Sequence, residues 1–182
     1  MELIDACLPA WEFRERHTRR IAAAPARALE ALPGIDLADS PVIGPLFALR
    51  SLGSREPLRA GLLGEFLDRA FVRLHEVPGR GVVFGAIGRF WSGGGGIVRF
   101  APGDFATDRS PGCARLAWAF EFAAEGPSGC LAVTETRIAC NDAAARWRMR
   151  AYWLAIRPAS GLIRREMLRL LAARCSDPRP GP

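Results

Sequence analysis

The chain has 182 residues, of which 49% are hydrophobic and 24% charged, with 19 glycines, 14 prolines and a formal net charge of +6. That length fits one domain, which at this size hides roughly 68–70% of its extended surface and forms a core without metal or disulfide staples. The composition excludes a disordered or collagen-like chain, and no apolar run reaches the roughly 18 residues of a membrane span. The opening Met1-Glu2-Leu3-Ile4-Asp5 is acidic and no long apolar core follows. It therefore predicts no secretory leader and a cytoplasmic location.

All 25 basic residues are arginine. A drift toward arginine codons produces this, so arginine is weaker evidence of bidentate chemistry here than in a mixed chain. Residues 1–140 hold 16 arginines against 16 acidic residues, while 141–182 hold 9 against 3, which puts the whole excess in the last 42 residues. Cysteines 7, 113, 130, 140 and 175 form no CxxC pair, and His17 and His75 lie in separate segments. A zinc site wants closely spaced ligand pairs, so buried free thiols are expected, with no metal and no cofactor.

In chain order, 11–22 reads as a strand in which Trp11, Phe13, Glu15, His17, Arg19 and Ile21 share a face. Pro25 opens a short helix that Pro33-Gly34 ends. Residues 42–50 and 58–70 read as two further helical pieces, the second with Leu62, Leu63, Phe66 and Leu67 as its apolar stripe. From Phe71 the period changes: 71–77, Pro78-Gly79 and 81–90 predict a hairpin. A flexible turn at 93–96 precedes a strand at 97–101. Residues 114–124 and 129–140 predict a second strand pair, with Leu116, Trp118, Phe120 and Phe122 on one face. Alternation with turns at each junction predicts an antiparallel sheet.

The end reads as a long helix capped by Asn141, kinked or interrupted at Pro158 and resuming over 162–174. Trp147, Ala151, Leu154, Ile163, Met167 and Leu170 are its expected buried stripe, with Arg146, Arg150, Arg157, Arg164, Arg165 and Arg169 crowding the rest. The tail 176–182 is Pro/Gly-rich and expected to fray. The fold class is thus α+β, with one sheet face covered by the C-terminal helix over a core or a cavity.

The strand Arg14-Glu15-Arg16-His17 followed by Ala23-Ala24-Pro25-Ala26 and a helix resembles the opening of the START-like (SRPBCC) superfamily. So do 83–91, Thr134-Glu135-Thr136-Arg137 and 152–158, which together with 160–166 resemble an uncharacterised bacterial branch of it. The resemblance covers 11–175 as a single domain, after an N-terminal extension at 1–10. It implies a helix-grip fold, a curved antiparallel sheet wrapped around the C-terminal helix with an apolar cavity between them. Members of the superfamily bind lipids, sterols or polyketides, and a few catalyse cyclisation or dehydration. No universal catalytic set transfers, and fold alone does not settle function.

Neighbouring first and last strands, as in that fold, would let Glu15, His17, Glu135 and Arg137 meet on one face. An inward face makes them ligand contacts or, for His17, Glu15 and Glu135, acid–base groups. An outward face makes them a charge ladder. His75 and Glu76 adjoin on one strand and point opposite ways, so they form no dyad; His75 is a cavity contact or a solvated sheet residue. Phe84, Trp118, Phe120, Phe122, Trp147 and Leu154 are spaced to face inward, as pocket lining or packed core. Trp91, beside the glycine run, is a candidate for the cavity mouth. Arg164 and Arg165 are the expected anion contact on a helix surface that is otherwise solvated, with an anionic membrane as a further partner and nucleic acid disfavoured. The glycine runs lack the following Lys-Ser/Thr of a P-loop and the strand-to-helix setting of a dinucleotide fingerprint.

The expected function is binding of a small hydrophobic molecule between sheet and C-terminal helix. The alternatives are an enzyme acting on a polyketide-like or aromatic intermediate, and an interaction module using the basic helix.

Overall fold

The structure, a computed structural model, describes residues 2–50, 60–92 and 96–176. Positions 58–59 of the expected second helical piece, most of the 93–96 turn and the tail from 177 lie outside the described residues.

Helix α1 (Leu3–Cys7) precedes strand β1 (Phe13–Ile21), and α2 (Pro25–Ala31) follows with proline in its first turn. Short 3-10 turns at Leu32–Gly34 and Leu37–Asp39 lead into α3 (Ile43–Arg50) and α4 (Leu63–Ala70). The strands β2 (Val72–Val77), β3 (Gly81–Gly88), β4 (Ile97–Val98), β5 (Ala114–Glu125) and β6 (Gly129–Cys140) then run up to α5 (Ala143–Ser176). The hairpin turns fall where glycine is required. Gly79 between β2 and β3 has φ 68°, and Gly126 between β5 and β6 has φ 73°. In that left-handed region a side chain is strained and glycine is not.

All pairing is antiparallel, in the order β1-β6-β5-β3-β2, with β4 on the far end of β3. The sheet is open, since β1 and β2 are its two edges. The alternation read from the sequence holds on β5, where Trp118, Phe120 and Phe122 are buried on the face toward the helices. They pack with Leu32, Leu37 and Leu63 of the short helical pieces and with Met167, Leu168 and Leu171 of α5. The other face is covered in part by α1, through Leu3, Ile4 and Leu8, and by Phe105. The segment read as an N-terminal extension thus carries a helix that closes the second core.

Two expectations for the last helix need correction, the interruption at Pro158 and the phase of the first half of the buried stripe. The helix runs unbroken through Pro158 from Ala143 to Ser176. Pro158 is exposed, so the carbonyl that loses its intrahelical partner lies on the solvent side. Met167 and Leu170 of the expected stripe are buried, but its first half has a different phase. Trp147 and Leu154 are 72% and 73% exposed, whereas Ala145, Met149, Trp153, Arg164, Met167 and Leu171 are buried. Steps of three and four residues connect these positions along one helix face.

Candidate functional site

Strand parity sorts the predicted polar cluster into two groups. In the β1–β6 register Glu15 lies opposite Thr136 and His17 opposite Thr134, while Arg14 faces Arg137 and Arg16 faces Glu135. Neighbours in register point to the same side of a sheet, and successive residues alternate. Glu15 and His17 therefore face α5, and Glu135 and Arg137 face α1. The two strands are neighbours, as expected, but the four residues do not meet on one face.

On the α1 side, Arg137 is an internal hub. Its Nε donates to Glu135 Oε1 at 2.6 Å, Nη1 to Asp5 Oδ1 at 2.7 Å and to the Leu8 carbonyl at 3.2 Å, and Nη2 to Glu2 Oε2 at 2.8 Å. The guanidinium carbon also stands 4.1 Å from the Trp11 ring centroid. Arg14 makes a two-pronged contact with Glu135 from its Nε and Nη2, both at 2.8 Å. Burial alone would raise the Glu135 carboxyl, but the hydrogen bonds from Arg14 and Arg137 outweigh it and hold it below the usual carboxylate range. With its lone pairs committed to guanidinium groups, Glu135 is a clamp and not an acid–base group for a cavity under α5.

On the α5 side, one cross-strand row runs from Glu15 through Thr136, Trp118 and Phe84 to Arg73. Its β1 end is polar and lies under α5. Glu15 Oε1 stands 3.1 Å from His17 Nε2, and Arg165 Nε stands 3.5 Å from His17 Nδ1. The arginine can only donate, so neutral His17 carries its proton on Nε2 and donates to Glu15. Arg164, expected on the surface, is 9% exposed, with its guanidinium carbon 4.0 Å from the Trp118 ring centroid. Burial pushes it down to about 10, against the opposing pull of Glu15. Trp118 Nε1 donates to Thr134 Oγ1 at 2.7 Å.

Three buried polar atoms in this nest have no hydrogen-bond partner: Glu15 Oε2, Thr136 Oγ1 and Arg164 Nε. The carboxylate oxygen only accepts, the guanidinium only donates, and the threonine hydroxyl does both. A water or a hydroxyl satisfies such a set, whereas an anion or a metal ion does not. Among the described residues no group of three His, Cys, Asp or Glu is placed to hold a metal ion.

The far end of the same face opens into a pocket of about 360 Å³ between α2, α4 and the β2–β3 hairpin. Its floor is apolar, formed by Leu29, Leu32, Leu67, Val82 and Phe84. Its rim carries Glu30, Asp68, Glu76 and Arg73, and Arg73 already donates to Glu76 at 2.7 Å.

Of the expected lining residues, Phe84 borders this pocket, and Trp118, Phe120 and Phe122 form the core behind it. Trp91 is half-buried and packs with Ile138, Met149 and Trp153 near the start of α5. Trp147 and Leu154 line nothing, because the helix presents another face to the sheet. Arg137 is on the opposite face, and His75 is exposed on the edge strand β2. The sequence reading missed the rim carboxylates Glu30 and Asp68, which come from two helices and meet only in three dimensions. It also missed the burial of Arg164, whose phase with Met167 and Leu171 was the available signal.

No family model matches the chain, and no curated protein matches it. Among solved structures it is similar to that of TTHA0849 from Thermus thermophilus, with a TM-score of 0.33 and 13% identity, over 90% of this chain and 97% of the other. Among the described residues no helix is long and apolar enough to cross a membrane.

Proposed function

We propose that the protein binds a small, mostly apolar molecule in the pocket between α2, α4 and the β2–β3 hairpin. The observation that carries this reading is the pocket's construction: an apolar floor continuous with the core, under a rim of three carboxylates and one arginine. Ligand sites of this size are concave and mainly apolar, with few polar groups that fix orientation. Because Arg73 is engaged by Glu76, Glu30 and Asp68 are the groups left to meet a ligand. They favour a cationic or hydrogen-bond-donating end on an apolar body.

The chain's resemblance to the START-like, helix-grip domains is part of this proposal, although the pocket is lined by α2, α4 and the β2–β3 hairpin and by no residue of α5. The strand–helices–sheet–helix order and the long helix over one sheet face support that resemblance. The five thiols, none of them in a disulfide, support a reducing compartment such as the cytoplasm.

The test is a titration of the full chain with alkyl amines and alkyl carboxylates of matched length, followed by amide chemical shifts. The amines are expected to bind more tightly and to move Leu67, Val82 and Phe84 before residues under α5. Ala26→Phe, on the exposed first turn of α2 and bordering the pocket, is expected to abolish binding while the protein stays folded. Binding that survives Ala26→Phe, or shifts centred on Glu15 and Trp118, would refute the pocket as the site.

One observation favours an acid–base reading instead: the Glu15 carboxylate orients the His17 imidazole, as a catalytic base requires. Turnover of a polyketide-like or aromatic intermediate, lost in His17→Gln with stability retained, would support it.

A further inference from the structure

Trp147, Ala151 and Leu154, which the sequence pattern assigns to the buried stripe of α5, are on the outside, whereas Met167 and Leu170 of that stripe are buried. Trp147, Ala151, Leu154, Pro158 and Leu162 are all exposed. At about 100° per residue they fall within an arc of roughly 80° and extend along about 22 Å of helix. Arg150 and Arg157 flank this arc on one side and Arg148 on the other. All three are exposed, and among the described residues none forms an ion pair. Arg146, on the same flank as Arg150, is held by Glu12 at 2.8 Å and is not counted. From Ala143 to Arg165 the helix contains no acidic residue.

Apolar residues scattered singly over a surface are ordinary, but these line up along one helix face, and the line has cationic margins on both sides. We propose that this face of α5 docks on an anionic lipid bilayer, with Trp147, Leu154 and Leu162 entering the interface and Arg148, Arg150 and Arg157 meeting the headgroups. Interfacial helices have this cross-section, and the long arginine stems let the guanidinium groups reach phosphate while the stripe is buried.

Charge and shape select this occupant over the others. A second copy of the chain would oppose arginine margins to arginine margins, with no acid in the segment to relieve them. A nucleic acid would meet the arginines but leave Trp147 and Leu154 with no apolar partner. The stripe forms a convex ridge, which a fluid plane accepts without a shaped groove and a small molecule cannot occupy. The proposal is independent of the pocket, which lies at the other end of the sheet face.

The experiment is co-sedimentation of the full chain with vesicles of phosphatidylcholine alone and of equal parts phosphatidylcholine and phosphatidylglycerol. Binding is expected to the mixed vesicles, at least about tenfold stronger than to the neutral ones and weakened by salt. Arg150→Gln and Arg157→Gln are each expected to lower it roughly fivefold, from about 1 kcal/mol per basic residue near an anionic surface. Trp147→Ser combined with Leu154→Ser is expected to lower it about tenfold or more, with the melting temperature unchanged because both side chains are exposed. Absence of binding to mixed vesicles overturns the proposal. So does equal binding by the Trp147→Ser/Leu154→Ser variant, since arginine attraction alone would then account for it. Retention on duplex DNA in preference to mixed vesicles overturns it in favour of nucleic acid.

Discussion

Gly161 of α5 lies directly against Glu15 of β1: a Cβ on residue 161 would stand 2.5 Å from Glu15 Oε1 and 3.3 Å from His17 Nε2. Helix propensity alone would favour alanine over glycine here by about 1 kcal/mol. The close approach reverses that sign, because the added methyl meets a buried carboxylate already engaged with His17. Gly161→Ala is expected to destabilise the fold by about 1–3 kcal/mol, the usual cost of overpacking, as a lowered urea midpoint with unchanged slope. A raised midpoint would mean that α5 lifts from β1 at little cost.

The Glu15–Arg164 pair predicts stability in reserve. Arg164 is almost fully buried, and burial displaces it from 12.5 to about 10, which corresponds to a cost on the order of 3 kcal/mol for keeping it charged. Removing the arginine alone leaves Glu15 buried without its nearby cation, so Arg164→Met is expected to destabilise the fold by about 1–3 kcal/mol. Arg164→Met with Glu15→Gln removes both charges and is expected to stabilise by about 1–2 kcal/mol, or roughly 2–8 °C in melting temperature. A double variant less stable than either single one would show that the pair is a net contributor to the fold.

The pattern of what the sequence reveals follows from period and phase. Both hairpins are legible because period-two alternation meets glycine at the two positive-φ turns, Gly79 and Gly126. The partnership of β1 with β6 is what the family resemblance implies, not what period shows, and it leaves the distribution of the polar residues over two faces unread. That distribution is already contained in strand parity: Glu15 and Thr136 share one face, Glu135 and Arg137 the other. On α5 the obvious apolar residues point to the wrong phase. Trp147 and Leu154 outweigh Ala145 and Met149 on any hydrophobic scale, and Arg164 sits where an apolar residue is expected. The pocket is illegible because Glu30, Asp68 and Phe84 are distant in sequence and belong to three different elements.

The Arg137 hub predicts acid sensitivity with a defined sign. Asp5 is held below its ordinary value chiefly by the hydrogen bond from Arg137, and Glu135 by Arg14 and Arg137 against the effect of burial. Depressed folded-state values mean that the unfolded chain binds these protons first. The stabilisation is therefore present above the unfolded carboxyl range near about 4 and lost as pH falls through the folded values. Glu121, raised by burial, has the opposite sign: its contribution is present below the unfolded value and lost as pH rises, which partly flattens the profile. Urea titrations between pH 7 and pH 3 are expected to show falling stability. Arg137→Met is expected to cost about 3–5 kcal/mol at pH 7 by leaving Glu135 buried without this partner, and to weaken the acid dependence. An unchanged acid profile in that variant would show that the hub does not control it.

The thiols bear on which chemistries the protein can perform. Burial pushes Cys140 up to about 12, with Glu12 adding to the effect, and burial also raises Cys7, Cys130 and Cys175. A thiol is nucleophilic only as thiolate, and at pH 8 a group near 12 holds roughly a thousandfold less thiolate than an ordinary cysteine. Cys113 is buried on the α1 side, away from the pocket and from His17. Native protein treated with iodoacetamide at pH 8 is therefore expected to gain mass slowly, whereas unfolded protein gains five adducts, one for each cysteine. Covalent thiol catalysis is thus disfavoured, and His17 with Glu15 is left as the acid–base candidate. Rapid native labelling at Cys140, located by peptide mass, would overturn this by revealing a thiolate that burial should suppress.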